Sequence, residues 1–277
     1  MTPLPLPIVH PPRGDIPVLL SVPHAGRDYP RWLLDLSVGG LRALEALEDP
    51  LVDRLAWRAL GRGLGAVIAR TPRAAIDCNR AEDEIDPAIT PAPRGIRPTA
   101  RARGGLGIVP TRTSVHGPLW RQPIGRDELD QRLAQAYRPY HQAIEQQLSL
   151  LLDRFGCALL LDCHSMPAMK GPPGIVFGDR YGRSSAPWLV AQAIDIAAGA
   201  GFSAKLNDPF AGGHILDRHG SPRSGVHAIQ IEIDRRCYLT PAGEPGLGFD
   251  AVALLIERLA CGLGEALLDR RLAPAAE

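Results

Sequence analysis

Three apolar runs that break off into polar tails constrain this chain more than any other feature. They are SVPHAG at residues 21–26, RAAIDCNR at 73–80 and LLLDCHS at 159–165. A short apolar run reads as a strand covered on both faces, the setting of a parallel sheet between helical layers. The tails supply His24, then Asp77, Asn79 and Arg80, then Asp162 and His164. Buried strands accept such groups only when hydrogen-bond partners are at hand. In an open α/β sheet the carboxyl ends of the strands form the edge where ligands bind. Three strands delivering these side chains to one edge predict a chemical site there.

The rest of the chain has the alternation such a sheet needs. Residues 16–22, 65–69, 74–78, 157–161, 174–177 and 227–233 read as strands, with 157–161 the most apolar and central. Residues 41–47 have helical spacing. Asp49-Pro50 predicts an N-cap with proline at the first helical position, opening a helix to about Leu60 that Gly61 and Gly63 stop. Asp127 predicts the cap of a long helix to about Phe155, kinked at Pro139. Helices are also expected over 188–200 and 249–268. The first 15 residues hold five prolines and read as an extended lead-in. Residues 82–122, with six prolines and five glycines and no periodicity, read as a long loop packed over the site. With no repeat and no linker, the expectation is one domain over 1–277. Its fold class is α/β, a three-layer αβα sandwich on a mixed, mostly parallel sheet.

Composition removes whole classes of function. The formal net charge is +1 over 277 residues, so no nucleic acid or membrane partner is expected. No apolar segment is long enough to span a bilayer. The N-terminus lacks the basic start and apolar core of a secretory signal. Of five cysteines, Cys78, Cys157 and Cys163 sit in apolar runs and no CxxC occurs. Reduced thiols in a cytoplasmic protein follow, without a structural zinc finger.

Each polar candidate has a plain and a functional reading. His24 is either an ordinary loop residue or a ligand, with Gly26 allowing a ligand to approach the backbone closely. His164 is a satisfied core imidazole, a base or a metal ligand. Asp49 caps a helix, worth ~1 kcal/mol, yet its carboxylate can also ligate. With His24 and His164 it makes a set of two histidines and one carboxylate, as in catalytic zinc sites. Glu48 is its rival. Asn79-Arg80 is a surface ion pair or a bidentate grip on a carboxylate. Asp77 would orient Arg80 or a site histidine, and Asp162 an imidazole. In HAIQIEID, alternation puts Gln230, Glu232 and Asp234 on one face. Glu232 is then a solvated outward residue or a general base. His214, after two glycines, is a weaker candidate for substrate contact than for a loop histidine. Cys78 or Cys163 as a nucleophile is the outlying reading, since buried thiols are inert.

Taken together, Pro23-His24-Ala25-Gly26, Glu48-Asp49, Arg73 with Ile76-Asp77-Cys78-Asn79-Arg80, Asp162-Cys163-His164-Ser165 and Gln230-Ile231-Glu232 resemble the N-formylglutamate amidohydrolase family. The resemblance runs over roughly residues 17–240. It implies a fold similar to the zinc carboxypeptidases and a zinc-dependent hydrolase of the amide of an N-formyl or N-acyl amino acid, such as N-formyl-L-glutamate, connected with histidine degradation. It implies one Zn2+ per chain held by His24, Asp49 and His164. Asn79 and Arg80 would grip a carboxylate of a small-molecule substrate, and Glu232 would be catalytic. Arginines of the segment 94–126 would add a second carboxylate contact. The carboxypeptidase and aspartoacylase pattern places a Glu three residues after the first His. Here Arg27 stands there, so the carboxylate ligand comes from elsewhere, with Asp49 the choice. A deacylase or carboxypeptidase-like hydrolase on another N-acyl amino acid, and an inactive small-ligand binding protein, are the alternatives.

Overall fold

The computed structural model describes residues 2–87, 98–172 and 174–272. Seven strands form one sheet: β1 Ile8–His10, β2 Val18–Val22, β3 Gly65–Ile68, β4 Ala158–Met166, β5 Gly174–Gly178, β6 Ser203–Leu206 and β7 Val226–Asp234, in the order β1-β3-β2-β4-β7-β5-β6. β4 runs parallel to both β2 and β7, β5 is parallel to β6, and β5 is antiparallel to β7. The sheet is therefore mixed and mostly parallel, and the fold is α/β as expected.

β4 is central. Its nine residues are all buried, as are all five of β2. Strands sealed on both faces must be built from Leu, Val and Ala, which is why these runs were legible as strands. β1 and β6, the two edges, went unread because their residues are largely exposed and carry no apolar run. A helix at Phe249–Leu272 (α4 below) seats against the sheet through Gly264. A Cβ there would lie 2.7 Å from Val18 Cγ2, so only glycine lets helix and β2 approach this closely.

By contacts the chain forms two compact units. One comprises Met1–Ile8, Pro23–Asp49 and Ile68–Ala143; the other Val9–Val22, Pro50–Val67 and Ile144–Glu277. The second contains the central strands with α1 Trp57–Gly61, α2 Pro187–Gly199, α3 His214–His219 and α4. The first is dominated by turns and short helices.

Several local expectations fail for identifiable reasons. Residues 74–78 are a turn, not a strand: the Ala75 amide donates to Pro72 O at 2.9 Å and the Arg80 amide to Asp77 O at 3.2 Å. A five-residue apolar run does not distinguish strand from buried turn. Asp49 does not cap a helix. The chain turns through Leu51 at φ 61° and the helix starts at Val52, without a side-chain cap. It also breaks in two, Val52–Leu55 and α1. The long helix is capped at Gly125 and places Asp127 and Glu128 in its first turn, where they offset the dipole. The expected interruption at Pro139 falls just before it. A π-helical segment, Leu133–Tyr137, comes directly before Arg138–Phe155 and absorbs the missing N–H. Within 82–122, the short helix Ala100–Arg103 and the antiparallel ribbon of Arg112–Thr113 with Gly117–Pro118 replace an unstructured loop. Residues 88–97 of that stretch, including Arg94 and Arg97, lie outside the described residues. Among the described residues no helix is long and apolar enough to cross a membrane.

Candidate active site

His164 lies inside β4 rather than beyond its end. Asp162, two residues earlier, shares its face. The His164 Nε2 faces Asp162 Oδ2 at 2.9 Å, and the other oxygen, Oδ1, accepts the Ser21 hydroxyl at 2.7 Å. Ser21 is the polar residue in the otherwise apolar β2. Sequence reasoning gave it no role, though a hydroxyl in a fully buried strand was the available signal. Because the carboxylate only accepts, Nε2 carries a proton, which leaves Nδ1 as the nitrogen able to ligate.

The same parallel register pairs Asp162 with Gln230 and His164 with Glu232. Register partners on neighbouring strands point to the same face about 4.8 Å apart at the backbone. Glu232 therefore rises beside His164, half-buried, with Oε1 accepting from Gln230 Nε2 at 3.0 Å. The alternation read from sequence is present. Asp234, on the same face, instead holds Arg236 at 2.6 Å.

His24 is gripped from both sides. Its Nε2 lies 2.8 Å from Asp77 Oδ1, and its Nδ1 lies 3.2 Å from Asp49 Oδ2. Asp77 also accepts the Asn79 amide at 2.8 Å and Arg73 Nε at 2.9 Å. Burial pushes the Asp77 carboxyl up, but Arg73, His24 and Arg80 outweigh it and hold it well below the usual carboxylate range. An ionised Asp77 accepts a hydrogen bond from His24 Nε2, which leaves Nδ1, facing the Asp49 carboxylate, as the nitrogen free to ligate once it is deprotonated. Asp77 thus orients the histidine, with Arg73 as its counter-charge. Gly26 serves protein rather than ligand. A Cβ there would lie 2.1 Å from Thr71 O, so glycine admits the 70–71 backbone.

Both imidazoles, pinned at Nε2 by a carboxylate, present Nδ1 as ligand atom, the arrangement seen around metal-bound histidines. His24, Asp49 and His164, all buried, each offer one ligand atom, and these atoms lie within 4.8 Å of one another. Ligands about 2.0–2.1 Å from a tetrahedral zinc are about 3.3 Å apart. The 3.2 Å between His24 Nδ1 and Asp49 Oδ2 matches that edge. The donor set fits a metal. Glu48 is not in this group; its Oε1 accepts the Tyr29 hydroxyl. Asp77→Asn and Asp162→Asn are each expected to weaken zinc affinity about 10–100-fold by releasing the ring tautomer. Competition against a chromophoric chelator measures this, and unchanged affinity in both would refute the orienting role.

Arg80 is buried, with Nε donating to Leu106 O at 2.9 Å and one terminal nitrogen to Asn79 O at 2.7 Å. Burial pulls its pKa down, opposed by Asp77 and helped by Arg73 and Arg101. It is not a surface ion pair. Asn79 is buried beside it. Burial pushes the thiols of Cys78 and Cys163 up, and their neighbours Asp77 and Asp162 push further, which disfavours either as nucleophile. All five cysteines are unbridged. His214 begins α3 and is half-buried.

Fold and site together define an α/β protein with a buried ligand group able to hold a metal. The profile of the N-formylglutamate amidohydrolase family matches residues 16–239. N-formylglutamate deformylase of Pseudomonas aeruginosa is 32% identical over 238 residues, covering 82% of this chain and 84% of the relative. That of Pseudomonas putida is 32% identical over 237 residues, covering 82% and 83%. The crystal structure of N-formylglutamate amidohydrolase from Ralstonia eutropha superposes with a TM-score of 0.86 at 29% identity, covering 96% of this chain and 99% of that one. The chain belongs to the N-formylglutamate amidohydrolase family.

Proposed function

We propose that this protein is a metal-dependent amidohydrolase that cleaves the formyl amide of N-formyl-L-glutamate to formate and glutamate. The whole chain, 1–277, would act as one catalytic domain. Family membership supports this reading, and one observation carries it: the buried ligand atoms of His24, Asp49 and His164, within 4.8 Å of one another. These residues would hold one Zn2+ per chain. When bound, the metal supplies Lewis-acid chemistry, polarising the scissile carbonyl and making a water acidic near neutral pH.

Glu232 is the general base. Its carboxylate takes a proton from the attacking water as the oxygen adds to the formyl carbon. It returns that proton to the amide nitrogen as the C–N bond breaks. Arg80 and Asn79 anchor a substrate carboxylate. Two of the guanidinium's N–H donors are spent on backbone carbonyls, which fixes the plane of the fork and leaves the others for a planar anion. Arg101 is near enough to lower the Arg80 pKa, and a second cation there suits a dicarboxylic substrate.

The test is formate release from N-formyl-L-glutamate by purified protein before and after chelation. One zinc per chain and loss of turnover on chelation, restored by zinc, is the expected result. Zinc with turnover of another N-acyl amino acid but not of the formyl compound would move the substrate. Absence of metal binding even in excess zinc would remove the ligand set.

A further inference from the structure

A cleft of about 580 Å³ opens at the other end of the central strands, lined by Cys157, Trp188, Arg223, His227, Arg270 and Arg271 among others. Cys157 immediately precedes β4, and His227 is the second residue of β7. His227 and Glu232 are five residues apart on β7, about 16 Å along the strand. The cleft is thus separate from the site that holds His164 and Glu232.

Its charge is one-sided: among the described residues three arginines line it and no carboxylate does. Among the described residues Arg223 and Arg271 make no hydrogen bond or ion pair, and Arg270 only lies over the Trp188 ring, 4.8 Å from its centroid. Arg270 and Arg271 belong to the last turn of α4, where cations offset the helix dipole. That accounts for two of them. Arg223 arrives independently, from the 3-10 turn Pro222–Ser224, and gains nothing from that dipole. All three are exposed, so solvent screens their mutual repulsion, while an oxyanion seated in the cleft would face three cations at once.

His227 adds a directional donor. It is 9% exposed, and its Nδ1 accepts the Ala186 amide at 3.1 Å. Burial pulls its pKa down, so the ring is neutral with the proton on Nε2. That N–H has no partner among the described residues. A volume of this size is in the range of small-ligand pockets, and arginine forks match the flat or tetrahedral faces of carboxylates and phosphates.

We infer that this cleft is a second binding site, for a small multivalent oxyanion held by Arg223, Arg270, Arg271 and the His227 Nε2–H. Titration of the full chain with inorganic phosphate and with succinate, at ionic strength matched with sodium chloride, tests it by calorimetry and thermal melting. Saturable binding beyond that of chloride is expected, with the stronger of the two probes naming phosphate or carboxylate as the preferred chemistry. Arg223→Ala with Arg270→Ala should raise the dissociation constant at least ten-fold, whereas Arg42→Ala, an exposed arginine elsewhere, should not change it. Arg223→Lys, which keeps charge and fold but loses the fork, should weaken binding several-fold. A chain ending at Leu272 should bind as tightly or more tightly. Binding that equals chloride, survives the double substitution, or disappears on truncation would overturn the inference.

Discussion

Glu232→Gln is expected to lower kcat on N-formyl-L-glutamate by about 10²–10⁴-fold, the usual contribution of a positioned general base. The substitution is nearly isosteric. The glutamine oxygen can still accept from Gln230 Nε2, so folding and zinc content are expected to be kept. What is lost is basicity: an amide cannot take the proton of the attacking water. Because the proposed carboxylate anchors, Arg80 and Asn79, lie on another part of the chain, KM should move little. A variant that keeps full turnover would remove Glu232 from the mechanism. A variant that loses zinc along with activity would assign it to the ligand set instead.

His164→Ala is expected to abolish both zinc retention and turnover. The imidazole is one of three ligand atoms in the group with His24 and Asp49, and two remaining ligands rarely compete with buffer and chelators for zinc. The substitution also strips Asp162 of the imidazole that faces it at 2.9 Å, while the Ser21 hydroxyl stays on its other oxygen. A buried carboxylate short of partners costs stability, so circular dichroism and a melting curve must accompany the metal analysis. Asp49→Asn provides the independent check. It preserves volume and removes a carboxylate that does not cap a helix and faces His24 Nδ1 at 3.2 Å. A folded Asp49→Asn protein with one zinc per chain and normal turnover would move the third ligand elsewhere.

The parts of this molecule readable in advance were those whose cause is local. β2, β4 and β7 announced themselves because a strand sealed on both faces has to be a continuous or alternating run of apolar residues. Their polar exceptions Asp162, His164 and Glu232 stood out against that background, whereas Ser21 did not. The stretch 73–80 misled for the same reason. Ala74, Ala75 and Ile76 are buried, and burial, not pairing, is what an apolar run reports. Asp49-Pro50 misled through an ordinary capping signal, because the Asp49 carboxylate is engaged by His24, 25 residues away in sequence. The edge strands β1 and β6 had no signal, since water does not select for apolar side chains.

Sequence alone determined the class of fold, the chemical types of the side chains gathered at the sheet, and the family resemblance. Each follows from residue identity and short-range pattern. Tertiary structure decided which nitrogen of each histidine faces which carboxylate, and which strand partner faces His164. Those depend on partners 53 residues apart for His24 and Asp77 and 141 apart for Ser21 and Asp162, and on a β4–β7 register joining Ala158 to Val226. A hydrogen bond needs its two atoms within about 3 Å, and chain pattern carries no record of distances between segments so far apart. Packing sets those distances, and with them the direction of every lone pair in the site.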